Sequence, residues 1–243
     1  ISTYMRMLRS IYNRGVDMHQ APYVHGLFRD VFTGVDTRQK KAIPIGELHI
    51  LLNKDPQSEK LRRTQAIANL LFQFCGMPFS DLAHLEKSNL KQGLLKYNRL
   101  KTGTPMSIEV LESAQNAIGG LYNKSDARSS GYPDYLFRIL SGAYKRNEEG
   151  AYREYQSALR RFNNELKSLS RKLRLHSPVT SYTLRHSWAT TAKYRGVPIE
   201  MISESLGHKS IKTTQIYLKG FELEERTKVN KLNYSYVCNF KML

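Results

Sequence analysis

One segment constrains the fold of this chain more than any other: the stretch that begins near Ser58 and ends at Gly76. It has helical periodicity, and its second half is apolar nearly all round. A helix of this kind is stable only when other elements surround it. The sequence therefore predicts a globular helical domain with this helix at its centre, built on Leu61, Ile67, Leu70, Leu71 and Phe74.

Helical periodicity also predicts helices on both sides of this core segment. A long amphipathic helix is expected over 151–173, with a basic face opposite its apolar stripe. A helix from Pro198 to Leu206 is expected to carry proline at its first position, with Gly207 after its end. The other predicted helices cover 1–13 (closed by Gly15), 47–53, 183–194, 211–218 and 222–232.

The pattern changes between His84 and Val110, where two turn signals separate short runs with strand-like composition. The turns are Lys91-Gln92-Gly93 and Thr102-Gly103-Thr104-Pro105. We predict three short antiparallel strands here, a further helix beginning within 107–119, and a loop over 120–135. The fold class is thus mainly α with a small three-stranded antiparallel sheet.

The chain opens directly inside an amphipathic helix, from which we expect an upstream domain to be missing. Residues 1–20 are predicted to be its remnant, and 21–46 a basic linker rich in Gly and Pro. Residues 47–243 would then form the main domain.

Charge and cysteine content limit the class of protein. Lys and Arg number 38 against 21 acidic residues, a net charge of +17, which favours a polyanionic partner. The two cysteines, Cys75 and Cys238, do not suggest a disulfide scaffold and fit a reducing cytoplasm. We find no metal-ligand spacing, phosphate-binding glycine loop, signal peptide or membrane span, and we expect no metal and no cofactor.

Two stretches carry the chemistry: "TSYTLRHSWATTAKYRG" and "LGHKSIKTTQIYL". Together they resemble the signature of tyrosine site-specific recombinases, the phage-type integrases. That family shows a His-x-x-Arg box, then Leu-Gly-His, then a tyrosine nine residues past that histidine. Arg185, His208 and Tyr217 fall at the matching positions, and Lys101 in "YNRLKTG" matches the family's β-hairpin lysine. The resemblance covers most of 43–232.

The resemblance implies a covalent mechanism that needs neither ATP nor metal. Tyr217 would be the nucleophile that forms a 3′-phosphotyrosine. Arg185 can clamp a phosphate in a bidentate way, and His208 can bond a phosphate oxygen or assist proton transfer. Lys101 could protonate the leaving 5′ oxygen, help that is typically worth ~10²–10⁴-fold.

The chain departs from the family at two catalytic positions. Pro78 stands where the first catalytic arginine belongs, and Cys75 stands at the alternative position for it. Tyr182 replaces the histidine of the His-x-x-Arg box, while Asp81 retains an acidic position. One hypothesis is that Arg99 substitutes for the missing arginine, ahead of Arg62 or Arg63. The other is a catalytically weakened protein that mainly binds DNA. We favour the first, because the other four site residues remain.

The sequence also has features of two other classes of DNA-acting protein. The stretch after Arg185 also resembles a helix-turn-helix regulator with Gly196 in the turn, but its second helix contains Glu200 and Glu204 and no Lys or Arg. A topoisomerase of the tyrosine type would use the same chemistry.

The resemblance also implies partners and organisation. Residues 1–20 would be the remnant of an α-helical core-binding domain, and 47–243 a catalytic domain with a C-terminal exchange segment. The protein would bind double-stranded DNA as a homotetramer that exchanges this segment. We expect the free fragment to be a monomer, because most of its core-binding domain is missing. The expected setting is a mobile-element integrase in the cytoplasm, associated with the nucleoid. The candidate DNA-contacting residues are Arg38, Lys40, Lys41, Arg160 and Arg161.

Overall fold

The computed structural model describes residues 2–31, 42–124, 132–218 and 223–238. It excludes the side chains of Ser2, Ile216 and Tyr217 and several in the last helix. The chain divides into two compact units, Ile1–Lys40 and Lys41–Leu243. This boundary lies inside the segment predicted to be a linker.

The first unit contains helix α1, Ser2–Asp17. We predicted that Gly15 closes this helix, and that prediction is wrong, because the helix continues for two more residues. A glycine inside a helix costs only about 1 kcal/mol and does not by itself end it. The chain then turns back along α1, where the Tyr12 hydroxyl donates to the Pro22 carbonyl at 2.8 Å.

The second unit is helical around a small sheet. Its elements, in chain order, are α2 (Ile45–Asn53), α3 (Glu59–Gln73), α4 (Phe79–Ala83), a 3₁₀ turn (Lys87–Asn89), β1 (Leu90–Lys91), β2 (Leu94–Asn98), β3 (Pro105–Glu109), α5 (Glu112–Leu121), α6 (Glu149–Lys172), α7 (Ser181–Tyr194), α8 (Ile199–Ser205), α9 (Ile211–Tyr217) and α10 (Leu223–Cys238).

Helix α3 is the centre of this unit, as its apolar circumference predicts. It packs against α2, α5, α6 and α7, and Leu70 and Leu71 are fully buried. Ser58 stands at its N-cap in extended conformation, although its side chain makes no capping hydrogen bond. The helix ends at Gln73, three residues before Gly76, whose carbonyl contacts Arg185 of α7.

The predicted three-stranded sheet is confirmed. Its strand order is β1-β2-β3 and both pairings are antiparallel, with Leu95 of β2 opposite Ile108 of β3. Both side chains are buried, so one face of the sheet closes on the core. The helix expected to begin within 107–119 starts only at Glu112, because β3 continues to Glu109.

The remaining helices match the sequence pattern with shifted ends. The predicted helix over 151–173 is α6, and the predicted helix over 222–232 extends as α10 to Cys238. Pro198 is the N-cap of α8 and not its first residue, which corrects the prediction. Its backbone is extended, and the Ile202 N–H still donates to its carbonyl at 3.0 Å.

Two features are absent from the part of the chain that the structure describes. No helix there is both long and apolar enough to cross a membrane. No cluster of three His, Cys, Asp or Glu side chains in the same ranges could hold a metal ion.

Candidate active site

Helix α7 brings Arg185 into the interior. The helix starts with a reciprocal capping box, in which the Thr183 N–H donates to Thr180 Oγ1 and the Thr180 N–H donates to Thr183 Oγ1. The Ser181 N–H also donates to Asn163 Oδ1 on α6 at 2.9 Å. This start is therefore held on two sides, which fixes the depth at which the buried Arg185 lies.

Arg185 contacts two backbone carbonyls. Its Nη1 donates to the Gly76 carbonyl at 2.8 Å, and its Nη2 donates to the Leu206 carbonyl at 2.6 Å. Gly76 lies in a left-handed turn after α3, where an added Cβ would come within 3.3 Å of the Arg185 Cα. This tight contact, together with the positive φ of +64°, favours glycine at this position.

A second guanidinium group reaches the same carbonyl from the sheet. Arg99 follows β2, is only 7% exposed, and donates through Nη1 to the Leu206 carbonyl. Its Nε lies 2.7 Å from Oδ2 of the buried Asp81 on α4. Burial raises the pKa of Asp81, while the adjacent Arg99 favours its charged form.

The Leu206 carbonyl is available because α8 ends there. The Gly207 N–H donates to the Glu204 carbonyl and the His208 N–H donates to the Ser203 carbonyl. These two bonds form a Schellman motif, with Gly207 at φ +64° in the left-handed position. The last carbonyls of a helix lack partners within it and carry partial negative charge, so they attract cations.

The β2–β3 hairpin lies tightly against this helix end. Thr102 Oγ1 and Thr104 Oγ1 donate to the Gly207 carbonyl at 3.4 and 3.3 Å. A Cβ at Gly207 would lie 2.8 Å from Met106 Sδ and 2.9 Å from Arg99 Cγ. The glycine of the Leu-Gly-His box therefore permits the contact through which Arg99 enters the site.

His208 completes the cluster as a neutral imidazole. Burial, together with the neighbouring cations Arg185, Arg99 and Lys101, lowers the pKa of His208 to about 4. Its Nε2 lies 3.3 Å from Arg185 Nη2, which can only donate, so Nε2 accepts. The proton of the neutral ring is then on Nδ1, which donates to Thr214 Oγ1 of α9 at 2.8 Å.

The charges of the buried cluster are unbalanced. Arg99 and Arg185 carry two positive charges, His208 is neutral near pH 7, and Asp81 supplies one carboxylate. A site with excess positive charge in a partly dehydrated environment can hold a singly charged anion. A phosphodiester is an anion of this kind.

The other predicted catalytic residues lie on elements around the cluster. Lys101 is exposed in the turn between β2 and β3, where the Gly103 N–H donates to the Arg99 carbonyl at 2.8 Å. Tyr182 lies in the first turn of α7 and is 41% exposed. Tyr217 is the last residue of α9, and its side chain lies outside the described part of the structure.

Neither Pro78 nor Cys75 places a cation in the site. Pro78 is the N-cap of α4, and its carbonyl accepts from the Asp81 N–H at 3.0 Å. Cys75 is in a left-handed turn, and burial raises the pKa of its thiol. Arg99 is thus the buried cation that the structure places beside Arg185 within the described residues.

The predicted DNA-contacting residues do not join this cluster. Arg160 and Arg161 are exposed on α6, where they line a shallow groove with Lys60 near the start of α3. The cluster around Arg185 lies at the other end of α3, where the Gly76 carbonyl accepts from Arg185. Arg38, Lys40 and Lys41 lie outside the described residues.

Arg62 and Arg63, the weaker candidates to replace the missing arginine, also lie near the start of α3. Arg62 pairs with Asp55 at 2.9 Å, and Arg63 donates to the Arg138 carbonyl. Neither is placed in the cluster.

Sequence reasoning missed two polar residues that hold α9. Thr214 accepts from His208, as described above, and Lys193 of α7 donates through Nζ to the Leu218 carbonyl at 2.9 Å. Thr214 stands three residues before Tyr217, on the same helix turn, and that spacing was an available signal. Nothing in the sequence pattern pointed to Lys193.

Comparison with known proteins shows which family the sequence matches. The sequence pattern of the phage integrase family matches residues 46–223, more than half of the chain. A probable integrase/recombinase protein of Methanocaldococcus jannaschii is 28% identical over 204 residues, 81% of this chain and 58% of that protein. The tyrosine recombinase XerD of Halalkalibacterium halodurans is 30% identical over 189 residues, 74% of this chain and 57% of that protein. The chain thus spans less than two thirds of these relatives.

Solved structures share the fold. The XerA recombinase superposes with a TM-score of 0.56 at 22% identity, covering 87% of this chain and 68% of that one. The Tn1549 transposon integrase, solved in complex with circular intermediate DNA, superposes with a TM-score of 0.59 at 17% identity, covering 92% and 77%. From the matched family pattern and this mainly α fold with its three-stranded sheet, we conclude that the chain belongs to the phage integrase family of tyrosine recombinases.

Proposed function

We propose that this protein carries out site-specific DNA recombination by cleaving and rejoining DNA strands through a 3′-phosphotyrosine intermediate. One observation carries the proposal: Arg99 and Arg185 converge on the Leu206 carbonyl beside a neutral His208. Such a preorganised pair of guanidinium groups suits a phosphate whose charge grows in the transition state.

In the cleavage step, the Tyr217 oxygen would attack the scissile phosphorus and the bond from phosphorus to the 5′ oxygen would break. Tyrosine hydroxyls in model peptides have a pKa of ~10, so a group must accept the tyrosine proton as the new bond forms. His208 is a candidate acceptor. Burial and, after it, the neighbouring cations lower the pKa of His208, and an arriving phosphate would offset the effect of those cations.

Lys101 is proposed to return a proton to the 5′ oxygen. It is exposed in the turn between β2 and β3, and Thr102 and Thr104 hold this turn against the Gly207 carbonyl. The free 5′ hydroxyl can later attack the phosphotyrosine and reverse the reaction. Since bond energy is kept in the intermediate, the cycle balances without an external energy source.

Arg99 is proposed to take the place of the first catalytic arginine, with Asp81 orienting it. Tyr182 could donate a hydrogen bond to phosphate from the first turn of α7. These assignments rest on the placement of the side chains around Arg185.

The wider setting is part of the same proposal. The partner would be duplex DNA bound by a homotetramer, and the element a mobile one, as with the Tn1549 integrase. The C-terminal helix α10 exposes Leu232 and Tyr234, 69% and 72% of their surface, which would suit exchange between subunits. The alternative, a helix-turn-helix regulator, would press α8 against DNA phosphates. The side chains that α8 exposes include Glu200, Met201 and Glu204, which do not favour such a contact.

The test is covalent capture of DNA. The chain is incubated with a pool of nicked duplexes of randomised sequence, and protein–DNA adducts are separated on a denaturing gel and their DNA sequenced. We expect an adduct with an enriched sequence for the parent and none for Tyr217→Phe. An adduct that persists in Tyr217→Phe, or none in the parent despite tight DNA binding, would contradict the proposal.

A further inference from the structure

Helix α7 carries two side chains that donate to backbone carbonyls in or beside the candidate site: Arg185 to Leu206 and Lys193 to Leu218. Arg185 lies in its first half and Lys193 in its last turn, eight residues later, which is about 12 Å along a helix. Lys193 Nζ donates to the Leu218 carbonyl at 2.9 Å. Leu218 directly follows Tyr217, so Lys193 contacts the backbone immediately after the proposed nucleophile.

The contact has a clear physical basis. Leu218 is the C-cap of α9, and its own N–H donates to the Thr214 carbonyl at 2.8 Å. The final carbonyls of a helix have no partner within it, and an ammonium group there satisfies one of them and interacts favourably with the helix dipole. Burial lowers the pKa of Lys193, so keeping its ammonium group charged at this position costs free energy.

Helix α9 depends on such contacts for its position. It has seven residues, and a helix of this length is not stable in isolation. Leu218 packs into a small apolar cluster with Ala189, Ile202 and Leu206. The polar contacts are His208 Nδ1 to Thr214 Oγ1 and Lys193 Nζ to the Leu218 carbonyl, on either side of Tyr217.

We propose that Lys193 is a positioning residue. Lys193 and Arg185 lie on the same helix, α7, so by donating to the Leu218 carbonyl Lys193 keeps the backbone of Tyr217 at a set distance from Arg185. This inference rests on the proposed function. Positioning matters because a displacement of about 1 Å at a reacting group can cost ~10²-fold in rate. A purely structural cap would instead change only stability.

The experiment compares Lys193→Met with Lys193→Arg. Methionine keeps an apolar stem of similar length and removes the donor, whereas arginine keeps a charged donor. Lys172→Met is the matched control, because it removes the same charge from the exposed last turn of α6. Each protein is assayed at saturating DNA with the captured nicked duplex, once with the natural 5′ oxygen and once with sulfur at that position.

The sulfur substrate separates positioning from proton donation, because a thiolate leaves without a general acid. We expect Lys193→Met to form the adduct at least about tenfold more slowly than the parent with both substrates. Lys193→Arg should recover much of the rate, and Lys172→Met should match the parent. Lys101→Ala should be slow with oxygen and restored by sulfur.

Several outcomes would overturn the inference. One is an unchanged adduct rate for Lys193→Met in a protein whose parent is active, which would leave the proposed function standing. Another is a slow adduct rate for Lys193→Met that returns to the parent rate with the sulfur substrate, because that result would assign Lys193 to proton donation. If the parent forms no adduct, the proposed function fails first.

Hydrogen exchange without DNA tests the cap separately. The amides of 211–218 should exchange faster in Lys193→Met than in the parent, and equal rates there would contradict the inference by themselves.

Discussion

At the scale of single residues, the main feature is one backbone carbonyl shared by two arginines. Arg99 and Arg185 both donate to the Leu206 carbonyl, and Asp81 forms an ion pair with Arg99. Two like charges that approach the same carbonyl in a partly buried site repel each other. The carbonyl and the carboxylate offset this repulsion, and a bound phosphate would offset it further.

This placement yields a prediction for Arg99. Removing it alone would leave Asp81 buried without its partner, which typically costs 3–5 kcal/mol of stability. The variant to test is therefore the double substitution Arg99→Gln with Asp81→Asn, which removes both charges. We expect it to bind DNA with nearly the parent affinity and to form the covalent adduct about 10²-fold more slowly.

The control for Arg99 is Asp81→Asn alone, which keeps the guanidinium group and should retain more activity than the double variant. Adduct formation at the parent rate by the double variant would show that Arg99 does not replace the missing arginine. DNA affinity is measured in parallel by fluorescence anisotropy.

At the scale of elements, the packing of the β2–β3 hairpin against the end of α8 positions the site. Gly207 allows this contact, because any side chain there would meet Met106 and Arg99. Gly196, between α7 and α8, is a matched comparison: it also has a positive φ, +76°, but nothing lies within 4 Å of an added Cβ.

The two glycines predict different effects of alanine. Gly196→Ala should cost about 1 kcal/mol of unfolding free energy, from backbone strain alone. Gly207→Ala should cost a further ~1–3 kcal/mol, because the hairpin must move. Denaturant unfolding measures both, and equal losses would mean that the hairpin yields without cost. We also expect Gly207→Ala to slow adduct formation, since Arg99 would be displaced.

At the scale of the whole molecule, we expect the net charge of +17 to dominate binding to the proposed DNA partner. The logarithm of the binding constant should fall with the logarithm of salt concentration by about 0.9 for each phosphate neutralised. The paired substitution Arg160→Ala with Arg161→Ala should make this slope shallower by about 2 if both side chains contact phosphates.

Arg153→Ala is the matched control for this slope. Arg153 is exposed on the same helix, but its Nη2 pairs with Glu149 at 2.6 Å. We expect its slope to stay near the parent value. If the paired Arg160 and Arg161 variant also keeps the parent slope, the groove beside Lys60 is not a DNA contact.

Much of the fold was predictable from periodicity and turn chemistry. The central position of α3 follows from its apolar circumference, and the sheet follows from the two glycine turns in 84–110. Helix ends were less accurate, as at Gly15 and Pro198. The position of a helix end depends on local capping geometry, and end positions one or two residues apart differ little in free energy.

The sequence by itself determined the family of this protein, the positions of Arg185, His208 and Tyr217 in its motifs, and the absence of an arginine at Pro78 and Cys75. Only the tertiary structure decided which groups meet. The Leu206 carbonyl, where Arg99 and Arg185 converge, and the Leu218 carbonyl that Lys193 holds are backbone atoms with no residue signature. Backbone carbonyls are the same in every residue, so their role is set by where helices end and what packs against those ends.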